Sequence, residues 1–598
     1  MKVEEGFQIV PYDESHPYTK DTVLPQLLNR LLPHKYLSEI ESDLTEFGDF
    51  IVHHCRNIGD KVAPPQITQF NHLGRRVDRL HTSEGWRELK DIAVREGIVA
   101  IPHERKQEEF SRIYGFTKVL LFAGDSHEVL CPMAMTDGVA RVLELSGTEQ
   151  MKREIRSRLI SRDSSLAFTA GQWMSERPGG SDVSQTETKA LSITSTSNSV
   201  ESDKRGSLYL LDGFKWFSSA TDSNISVALA RTGPFASGSR SLSLFLVPLR
   251  LPLLPQPSPD PTSNGITIHR LKNKLGTHAL PTAELSLNNT KAYLLSPLNE
   301  GVKTITPVLN ITRLYSAFTS VGCLRRALDI ARSYALVRQI SIPGGQSPLK
   351  DVPLHMTVLA DITITYQALT HFAFGIAALL GKSECGKATG NEEARLRLLT
   401  PVLKAFASEK AVSAMEDCMT CLGGLGYMEE VGIGRLIRDC LVEKIWEGTV
   451  NVLVLDMIRA SNKTFTVFME SISCPKEQIQ DLKLEESISA INHSLNTLKE
   501  AFKPPLISAP FVQRLLLFLL GHTTASIYLF EHVIWGYTEQ GSEGHWEIDR
   551  NVFKRYVGTS LENLCIDLEK LMRIADRKSR SKDDTEIVYG IKPIASKL

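Results

Sequence analysis

The sequence predicts an α+β fold in which a β domain is inserted between helical regions. Apolar residues recur at helical spacing over residues 21–165 and again from residue 304 onward, whereas the period changes to two over residues 168–298. The helical spacing is clearest in the groups Leu24, Leu27, Leu28, Leu31 and Leu324, Ala327, Leu328, Ala331. At 598 residues the chain is also longer than one hydrophobic core usually supports. We therefore expect several domains packed together.

Four domains are predicted along the chain. They are a helical N-terminal domain (residues 1–165), a middle β domain (166–300), a helical bundle (301–462) and an extra C-terminal helical region (463–598). Three runs of the middle domain are predicted to be strands, at 208–211, 225–229 and 242–247. A polar run at 192–207 and a proline-rich run at 252–261 interrupt these strands, and their composition is typical of surface loops.

The overall composition is that of an ordinary soluble globular protein. Hydrophobic residues make up 42% of the chain and charged residues 23%, and the formal net charge is -1. Lysine and arginine do not gather into one long run, so the sequence carries no broad electrostatic footprint for nucleic acid. We therefore do not expect nucleic acid to be the main partner.

The cysteines and the longest apolar segment indicate neither a disulfide framework nor a membrane span. Nine cysteines without regular spacing suit a reducing compartment. Cys418 and Cys421 form the one CxxC motif, which lacks a second ligand pair, so packing is favoured over redox or metal chemistry and we predict no metal site. The uncharged segment between Arg514 and Glu531 is short and predicts a buried helix.

The two ends of the sequence carry different targeting information. The N-terminal residues lack the apolar segment of a secretory signal. The last three residues, Ser596, Lys597 and Leu598, match the address that a peroxisomal import receptor reads, and residues 592–595 before them are predicted to be exposed. We therefore expect the protein in peroxisomes, with an accidental match as the alternative.

The turn around Glu447 is the strongest candidate for a catalytic site. Trp446 precedes this carboxylate and is placed to exclude water from one side of it, which would raise its pKa toward the working pH. Gly448 follows and leaves room for a substrate to approach. The alternative is a carboxylate at a helix end beside a core tryptophan. Taken alone the pattern does not decide, because perturbed acids mark functional sites only in part.

Three further motifs surround this candidate in the sequence. Residues 173–183 place hydroxyls, two glycines and a carboxylate in one turn, where backbone N–H groups can come close to a polar ligand. The alternative is a loop that simply needs glycine. In the strand that follows, Trp216 and Ser218 are expected to alternate onto one face, where a flat ligand could stack. Residues 420–427 form a second glycine turn, followed by Arg435 and Asp439, whose alternative role is a turn between helices with a capping salt bridge.

Together these motifs resemble the acyl-CoA dehydrogenase family. Its two signature motifs match residues 174–182 and 423–439, in order and at the expected separation, and the resemblance covers roughly residues 101–462. The AidB branch is the most similar, since residues 70–78, residues 131–136 and the Trp446-Glu447-Gly448 sequence have counterparts there. That branch also carries an extra C-terminal helical region.

The resemblance implies an FAD enzyme, with a helical domain, a β-barrel and a four-helix bundle, that oxidises a fatty acyl-CoA to the trans-2-enoyl-CoA. Glu447 would then be the base that removes the α-proton while hydride leaves for flavin N5. The implied cofactor-binding residues are Met174, Ser175, Ser181, Trp216, Phe217, Ser218, Arg338, Gly423, Gly424, Thr449 and Asn451. The implied substrate-binding residues are Ser181, Asn310, Arg313 and Gly448.

The resemblance also bears on assembly and on alternative functions. Arg338, Gly423 and Gly424 match contacts that one subunit makes to the FAD of its neighbour, which implies a homodimer or homotetramer. Two alternatives stay open. Oxygen could reoxidise the flavin in a peroxisome, which would make the enzyme an oxidase, or the chain could be an AidB-like protein that binds FAD, acyl-CoA or DNA with little turnover. The near-balanced charge after residue 462 argues against DNA.

Overall fold

The computed structural model describes residues 9–193, 204–254, 262–472, 480, 482–540, 546–574 and 577–590. Two compact units are present, one formed by Met1–Leu396 with Leu403–Thr449 and the other by Arg397–Val402 with Val450–Leu598. The predicted α+β class is confirmed, with a helical first part, a β middle and a helical last part. The exact boundaries of the four domains stay a prediction. Ser596, Lys597, Leu598 and parts of the two predicted loops lie outside the described residues.

The first part of the first unit is mainly helical. Its helices are α1 (Leu24–Leu31), α2 (His34–Phe50), α3 (Arg56–Gly59), α4 (Glu84–Arg95), α5 (Ala100–Glu104), α6 (Ser111–Phe122), α7 (Leu130–Ser146), α8 (Glu149–Met151) and α9 (Ser157–Leu159). Leu24, Leu27 and Leu28 of α1 are buried, as the helical spacing predicts. The burial of these residues fixes α1 on the core.

A β-hairpin inside this helical region was not predicted. Strands β1 (Gln66–Phe70) and β2 (Arg76–His81) pair antiparallel. Their turn is stabilised by the side chain of Asn71, which accepts hydrogen bonds from the N–H groups of Leu73 and Arg75, both at 3.0 Å. Gly74 has a φ of +74° in that turn. The strands are too short and too exposed to give a clear alternating pattern, which is why helical periodicity dominated the prediction.

The middle part forms a barrel-like sheet in which most strand pairs are antiparallel. Its strands are β3 (Ala170–Trp173), β4 (Lys189–Ser192), β5 (Leu208–Ser219), β6 (Ile225–Arg231), β7 (Leu242–Pro248), β10 (Ile266–Leu271) and β11 (Thr282–Leu294), with a small separate pair of β8 (Arg250–Leu251) and β9 (Thr262–Ser263). Pairing runs from β11 through β5, β4, β6 and β7 back to β11, which closes a ring. All seven residues of β6 are buried, because one face packs inside the ring and the other against helices.

Three long helices complete the first unit and carry the candidate site. They are α10 (Gly301–Val337), α11 (Pro353–Glu384) and α12 (Gly390–Cys421), followed by the short α13 (Ile433–Leu441), and a hairpin of β12 (Gln339–Ile342) and β13 (Gly345–Pro348) separates α10 from α11. Helix α12 begins with a capping box in which Thr389 and Glu392 satisfy each other's backbone N–H groups. Side chains of α10 and α12 contact the turn that follows α13.

The second unit is helical throughout its described residues. It contains α14 (Val450–Glu470), α15 (Glu485–Ala501), α16 (Pro510–Gln540), α17 (Trp546–Ser560), α18 (Glu562–Met572) and α19 (Arg577–Tyr589). Helices α11 and α16 are long and apolar enough to cross a membrane, but 78% of the apolar window of each is buried inside the protein. Core burial accounts for their composition, in keeping with the prediction for α16.

Candidate active site

Two consecutive left-handed residues form the backbone of the candidate turn. A short helical turn ends at Lys444, Glu447 then has a φ of +56° and Gly448 a φ of +107°, before α14 starts at Val450. Glycine adopts such a conformation freely, whereas a residue with a Cβ pays roughly 1–2 kcal/mol for it. Strain of this kind is retained where the surrounding structure holds it and is frequent at functional sites. The backbone of the turn thus favours glycine at position 448, independently of any ligand.

Two cations hold the carbonyl groups of this turn. Arg313 on α10 donates from Nε to the carbonyl oxygen of Glu447 at 3.2 Å, and Lys404 on α12 donates from Nζ to that of Gly448 at 2.8 Å. With both carbonyls fixed, the intervening peptides have one orientation. Within the described part of the chain, the backbone N–H of Glu447 donates to no protein acceptor. That N–H is available to a ligand.

The carboxylate of Glu447 is held but not enclosed. Thr312 on α10 donates from Oγ1 to Oε2 of Glu447 at 2.6 Å, and the side chain keeps partial exposure. Burial raises the pKa of Glu447, while the Thr312 hydrogen bond and the charges of Arg313 and Lys404 oppose the rise. A partly accessible carboxylate with a raised pKa has the properties of a general base.

Trp446 acts on a different carboxylate from the one that the sequence indicates. Its indole Nε1 donates to Oε2 of Glu443, a buried residue that precedes Glu447 by one helical turn. Burial raises the pKa of Glu443 to about 7. Burial raises the pKa of Glu447, while the hydrogen bond of Trp446 goes to Glu443, and the exclusion of water from Glu447 by Trp446 stays a prediction.

The first glycine motif is tied to the barrel by its glutamate. Glu176 is buried and accepts hydrogen bonds from Nζ of Lys215 and Oγ1 of Thr188, both at 2.6 Å. This carboxylate is fully used within the protein. Next to it, the carbonyl of Ser175 accepts from the backbone N–H of Trp216 at 3.0 Å, so the structure brings these two predicted residues together. Met174 and Ser175 are half-buried, and Ser181 is exposed.

A β-bulge changes the predicted alternation in β5. Between β5 and β11 the register shifts so that Trp216 and Phe217 together face the single residue Glu284. Phe217 is exposed, and the Nζ of Lys272 lies 3.4 Å from the ring centre of Trp216. Ser218 is fully buried, and its Oγ has no hydrogen-bond partner among the described residues. Strict alternation of Trp216 with Ser218 is therefore wrong, because the extra residue of the bulge interrupts the pleat.

The other predicted site residues lie at separate places in the fold. Asn310 is half-buried on α10, three residues before Arg313. Thr449 is half-buried just after the turn, and Asn451 belongs to the second unit, where its Oδ1 accepts from Arg514 at 3.3 Å. Arg338, Gly423 and Gly424 are exposed, and a Cβ at either glycine would meet nothing within 4 Å. The packing of this chain alone therefore leaves the glycine turn open.

The second glycine motif and the CxxC pair have structural explanations. Arg435 and Asp439 form an ion pair at 3.2 Å along α13, and Asp439 also accepts from the backbone N–H of Thr277 at 2.6 Å. This is the salt bridge that the sequence left as an alternative. Cys418 and Cys421 are free thiols, and the described residues contain no group of three or more side chains that could hold a metal ion.

Sequence reasoning missed three residues around Glu447. Thr312 lies beside the predicted Arg313, Glu443 lies four residues before Glu447, and Lys404 lies in the otherwise apolar run from 402 to 407. The lysine gave the clearest signal, because a charged residue inside an apolar helical run is buried at a cost unless it has a role. No pattern in the sequence pairs α12 with the turn.

Models of three protein families match the chain, and together they cover most of it. The N-terminal domain of the adaptive response protein AidB matches residues 8–164. The middle domain of acyl-CoA dehydrogenase matches residues 171–290, and the C-terminal domain matches residues 299–461. The match to the C-terminal domain includes Thr312, Arg313, Lys404 and Glu447.

Individual relatives agree with the family models. Acyl-CoA dehydrogenase family member 11 of Caenorhabditis elegans is 38% identical over 502 residues, which cover 81% of this chain and 78% of the relative. Putative acyl-CoA dehydrogenase AidB of Escherichia coli is 27% identical over 472 residues, covering 77% and 81%. The crystal structure of C. elegans ACDH-11 in complex with C11-CoA superposes with a TM-score of 0.85 and 33% identity, covering 99% of this chain and 98% of that one.

Proposed function

This chain belongs to the acyl-CoA dehydrogenase family, in its AidB-like branch, and from that membership we propose that it is an FAD-dependent oxidoreductase converting a fatty acyl-CoA into the trans-2-enoyl-CoA. The observation that carries the proposal is the state of Glu447. Its carboxylate is half-buried, held by Thr312 and raised in pKa, and it sits in a turn whose two carbonyls are already bound. These are the properties that removal of a weakly acidic proton requires.

The free backbone N–H of Glu447 supports the same proposal. Removal of the proton α to a thioester places negative charge on the thioester oxygen, and a fixed N–H group can stabilise that charge. Arg313 and Lys404 hold the two peptide groups that follow this N–H, which restrains the turn before substrate binds. Glu447 would thus act twice, with its carboxylate as the base and its N–H as an oxyanion donor.

The residues near the bulge of β5 fit a flavin. The buried Oγ of Ser218 and the buried Oε1 of Gln172 have no hydrogen-bond partner among the described residues, and unpaired buried polar atoms call for a ligand. Trp216 and Phe217 directly precede Ser218 in β5 and offer aromatic surface. We propose that these residues, with Met174, Ser175 and Thr449, hold FAD. When bound, FAD would accept the hydride that leaves the β-carbon of the acyl chain.

We also propose a homodimer or homotetramer. Arg338, Gly423 and Gly424 are exposed and lack close neighbours at the glycines. Large apolar side chains are exposed on the same stretches of chain, at Leu336, Ile342, Leu354 and Tyr427. Exposed apolar groups of this size are typical of surfaces that a second subunit covers. Sedimentation of the FAD-bound protein measures its oligomeric state. The same measurement on a Tyr427→Asp variant tests whether this surface forms the subunit contact.

Anaerobic titration of the purified yellow protein with acyl-CoAs tests the reaction. The C. elegans relative was crystallised with C11-CoA, so a panel of straight-chain acyl-CoAs with shorter and longer members on either side of C11 is the first choice. Loss of the oxidised flavin absorbance, together with trans-2-enoyl-CoA in the product mixture, is the expected result. A protein that binds FAD and acyl-CoA but bleaches with no member of the panel would contradict the proposal and favour an AidB-like binding role.

A peroxisomal location is a further proposal, and it favours oxygen as the acceptor. Ser596, Lys597 and Leu598 match the import address, and we do not expect a mitochondrial electron acceptor in peroxisomes. Deleting the tripeptide from a protein labelled at its N-terminus should convert puncta into diffuse cytosolic fluorescence. Peroxide release under air, measured beside reduction of an artificial acceptor, separates an oxidase from a dehydrogenase.

A further inference from the structure

Three lysine side chains are buried in the described part of the chain, and one of them lacks a carboxylate partner. Lys118 lies 2.7 Å from Asp43 and 2.9 Å from Glu96, and Lys215 lies 2.6 Å from Glu176. Lys404 is fully buried and has no carboxylate within 4 Å in the residues that the structure describes. A buried ammonium group without an ion pair is costly.

The hydrogen bond that Lys404 makes is directed at the candidate base. Its Nζ donates to the carbonyl of Gly448 at 2.8 Å, so it fixes the peptide group between Gly448 and Thr449, in the same turn as Glu447. A methionine could fill the same volume without the cost of burying a charge, and it would leave this carbonyl unbound. Packing alone therefore does not explain a lysine at this position.

The charge of Lys404 faces the acidic groups of the site. Burial lowers the pKa of Lys404 to about 8, while the charges of Glu443 and Glu447 raise it and that of Arg313 lowers it. A value near 8 keeps most of the side chain protonated at neutral pH. Burial raises the pKa of the nearby groups Glu128 and Cys131, and the charge of Glu443 adds to that rise. Lys404 is thus a positive charge among several acidic groups.

We propose that Lys404 is a positioning residue for Glu447: it holds the carbonyl of Gly448 and places a buried positive charge beside the base. This inference rests on the proposed function and adds to it, because it names a residue that acts through the base. The charge favours the ionised form of Glu447, which is the form that accepts a proton. The hydrogen bond restrains the left-handed turn that contains Glu447.

The test measures proton removal separately from oxidation. A 3-thia-acyl-CoA can lose an α-proton to Glu447, but it cannot complete dehydrogenation because sulfur replaces the β-carbon. Exchange of its α-hydrogens with D2O in the FAD-loaded protein, followed by mass spectrometry from acidic to alkaline pH, reports the ionisation of the base. In the Lys404→Met variant we expect the acid limb of this profile to move to higher pH by about one unit. At pH values below the limb, exchange should fall about tenfold, with binding of the analogue changed much less.

Companion variants separate positioning from a merely structural role. Lys404→Arg keeps the charge and the donors, so its acid limb should stay in place even if its rate falls. Lys118→Met makes the same chemical change at a buried lysine that pairs with Asp43 and Glu96, and it should leave the limb unmoved. Lys404→Gln repeats the neutralisation with a polar side chain and serves where the methionine variant does not fold.

Distinct results address the two proposals. If the acid limb of the exchange profile stays at the same pH in both Lys404→Met and Lys404→Gln, the positioning inference is overturned, whatever the exchange rates are. The acyl-CoA dehydrogenase proposal would still stand. An unmodified protein that exchanges no α-hydrogens and is bleached by no acyl-CoA would overturn both. A shifted limb in the neutral variants with an unshifted limb in Lys404→Arg supports the inference.

Discussion

Two glutamates of the first unit, the buried Glu176 and the half-buried Glu447, lie near lysines but differ in their hydrogen-bond partners and in their exposure. Glu176 accepts from Lys215, from Thr188 and from the backbone N–H of Glu187, each at 2.6 Å. The carboxylate of Glu447 accepts a single hydrogen bond, from Thr312, and keeps partial exposure. One carboxylate is saturated inside the protein, and the other has capacity left for a ligand.

The pKa of Glu176 is lowered and that of Glu447 is raised, because the hydrogen-bond and charge partners outweigh burial only at Glu176. Burial alone would raise the pKa of both groups, but for Glu176 the Lys215 ammonium and the surrounding donors outweigh it and lower the pKa. For Glu447 the opposing contributions of Thr312, Arg313 and Lys404 are insufficient, and the pKa is raised. Burial beside a lysine does not mark a catalytic carboxylate. An incomplete set of partners on an accessible face is the better indicator.

The largest expected difference between the two glutamates appears on changing Glu447 to glutamine. This variant keeps the shape of the side chain and removes the proton acceptor, so flavin reduction by acyl-CoA should slow by about 10²- to 10⁴-fold. Stopped-flow absorbance under anaerobic conditions measures the rate, and calorimetry checks that acyl-CoA still binds. Bleaching at a near-normal rate would show that another group is the base.

The same substitution at Glu176 should act on stability instead. Glu176→Gln leaves the buried Lys215 without its counter-charge, which costs about 3–5 kcal/mol of unfolding free energy. In the molecules that stay folded, acyl-CoA should reduce the flavin at a rate within a few-fold of that in the unmodified protein. Adding Lys215→Met in the same chain removes the unpaired charge and should recover part of the loss. Urea unfolding measures both variants, and no recovery in the double variant would contradict the ion-pair explanation.

The sequence predicted part of the site and of the fold, and the missing part is long-range. Helical and alternating periodicity predicted the order of domains, and the family resemblance brought Glu447, Gly448 and Arg313 into one site. Thr312 and Lys404 reach the turn across 135 and 44 residues of chain, and periodicity carries no information about such contacts. The bulge at Trp216 was missed for a similar reason, because it depends on the register between β5 and β11.

A smaller effect is expected from the hydroxyl group that holds the base. Thr312→Val removes the hydrogen bond to Oε2 of Glu447 and keeps the volume, so the ionised carboxylate loses a favourable partner and its pKa rises further. The acid limb of the pH profile should move to higher pH, and at pH values below the limb flavin reduction should slow about tenfold, or ~1.4 kcal/mol in activation free energy. Thr312→Ser keeps the hydroxyl and is the matched control. A valine variant with an unshifted limb would mean that Thr312 serves packing alone.

The smallest expected effect is an opposite dependence of stability on pH in the two glutamine variants. Glu176 has a lowered pKa in the folded protein, so its contribution to stability is present above the unfolded value of 4.5 and is lost as the pH falls through the folded value. Glu447 has a raised pKa, so its ionisation opposes folding as the pH rises from 4.5 through the folded value. Relative to the unmodified protein, Glu176→Gln should therefore become less stable with rising pH, and Glu447→Gln more stable. Melting temperatures by circular dichroism across this range give the two slopes. If both slopes have the same sign, the contrast between a saturated and an available carboxylate is wrong, because two groups shifted in opposite directions cannot respond alike.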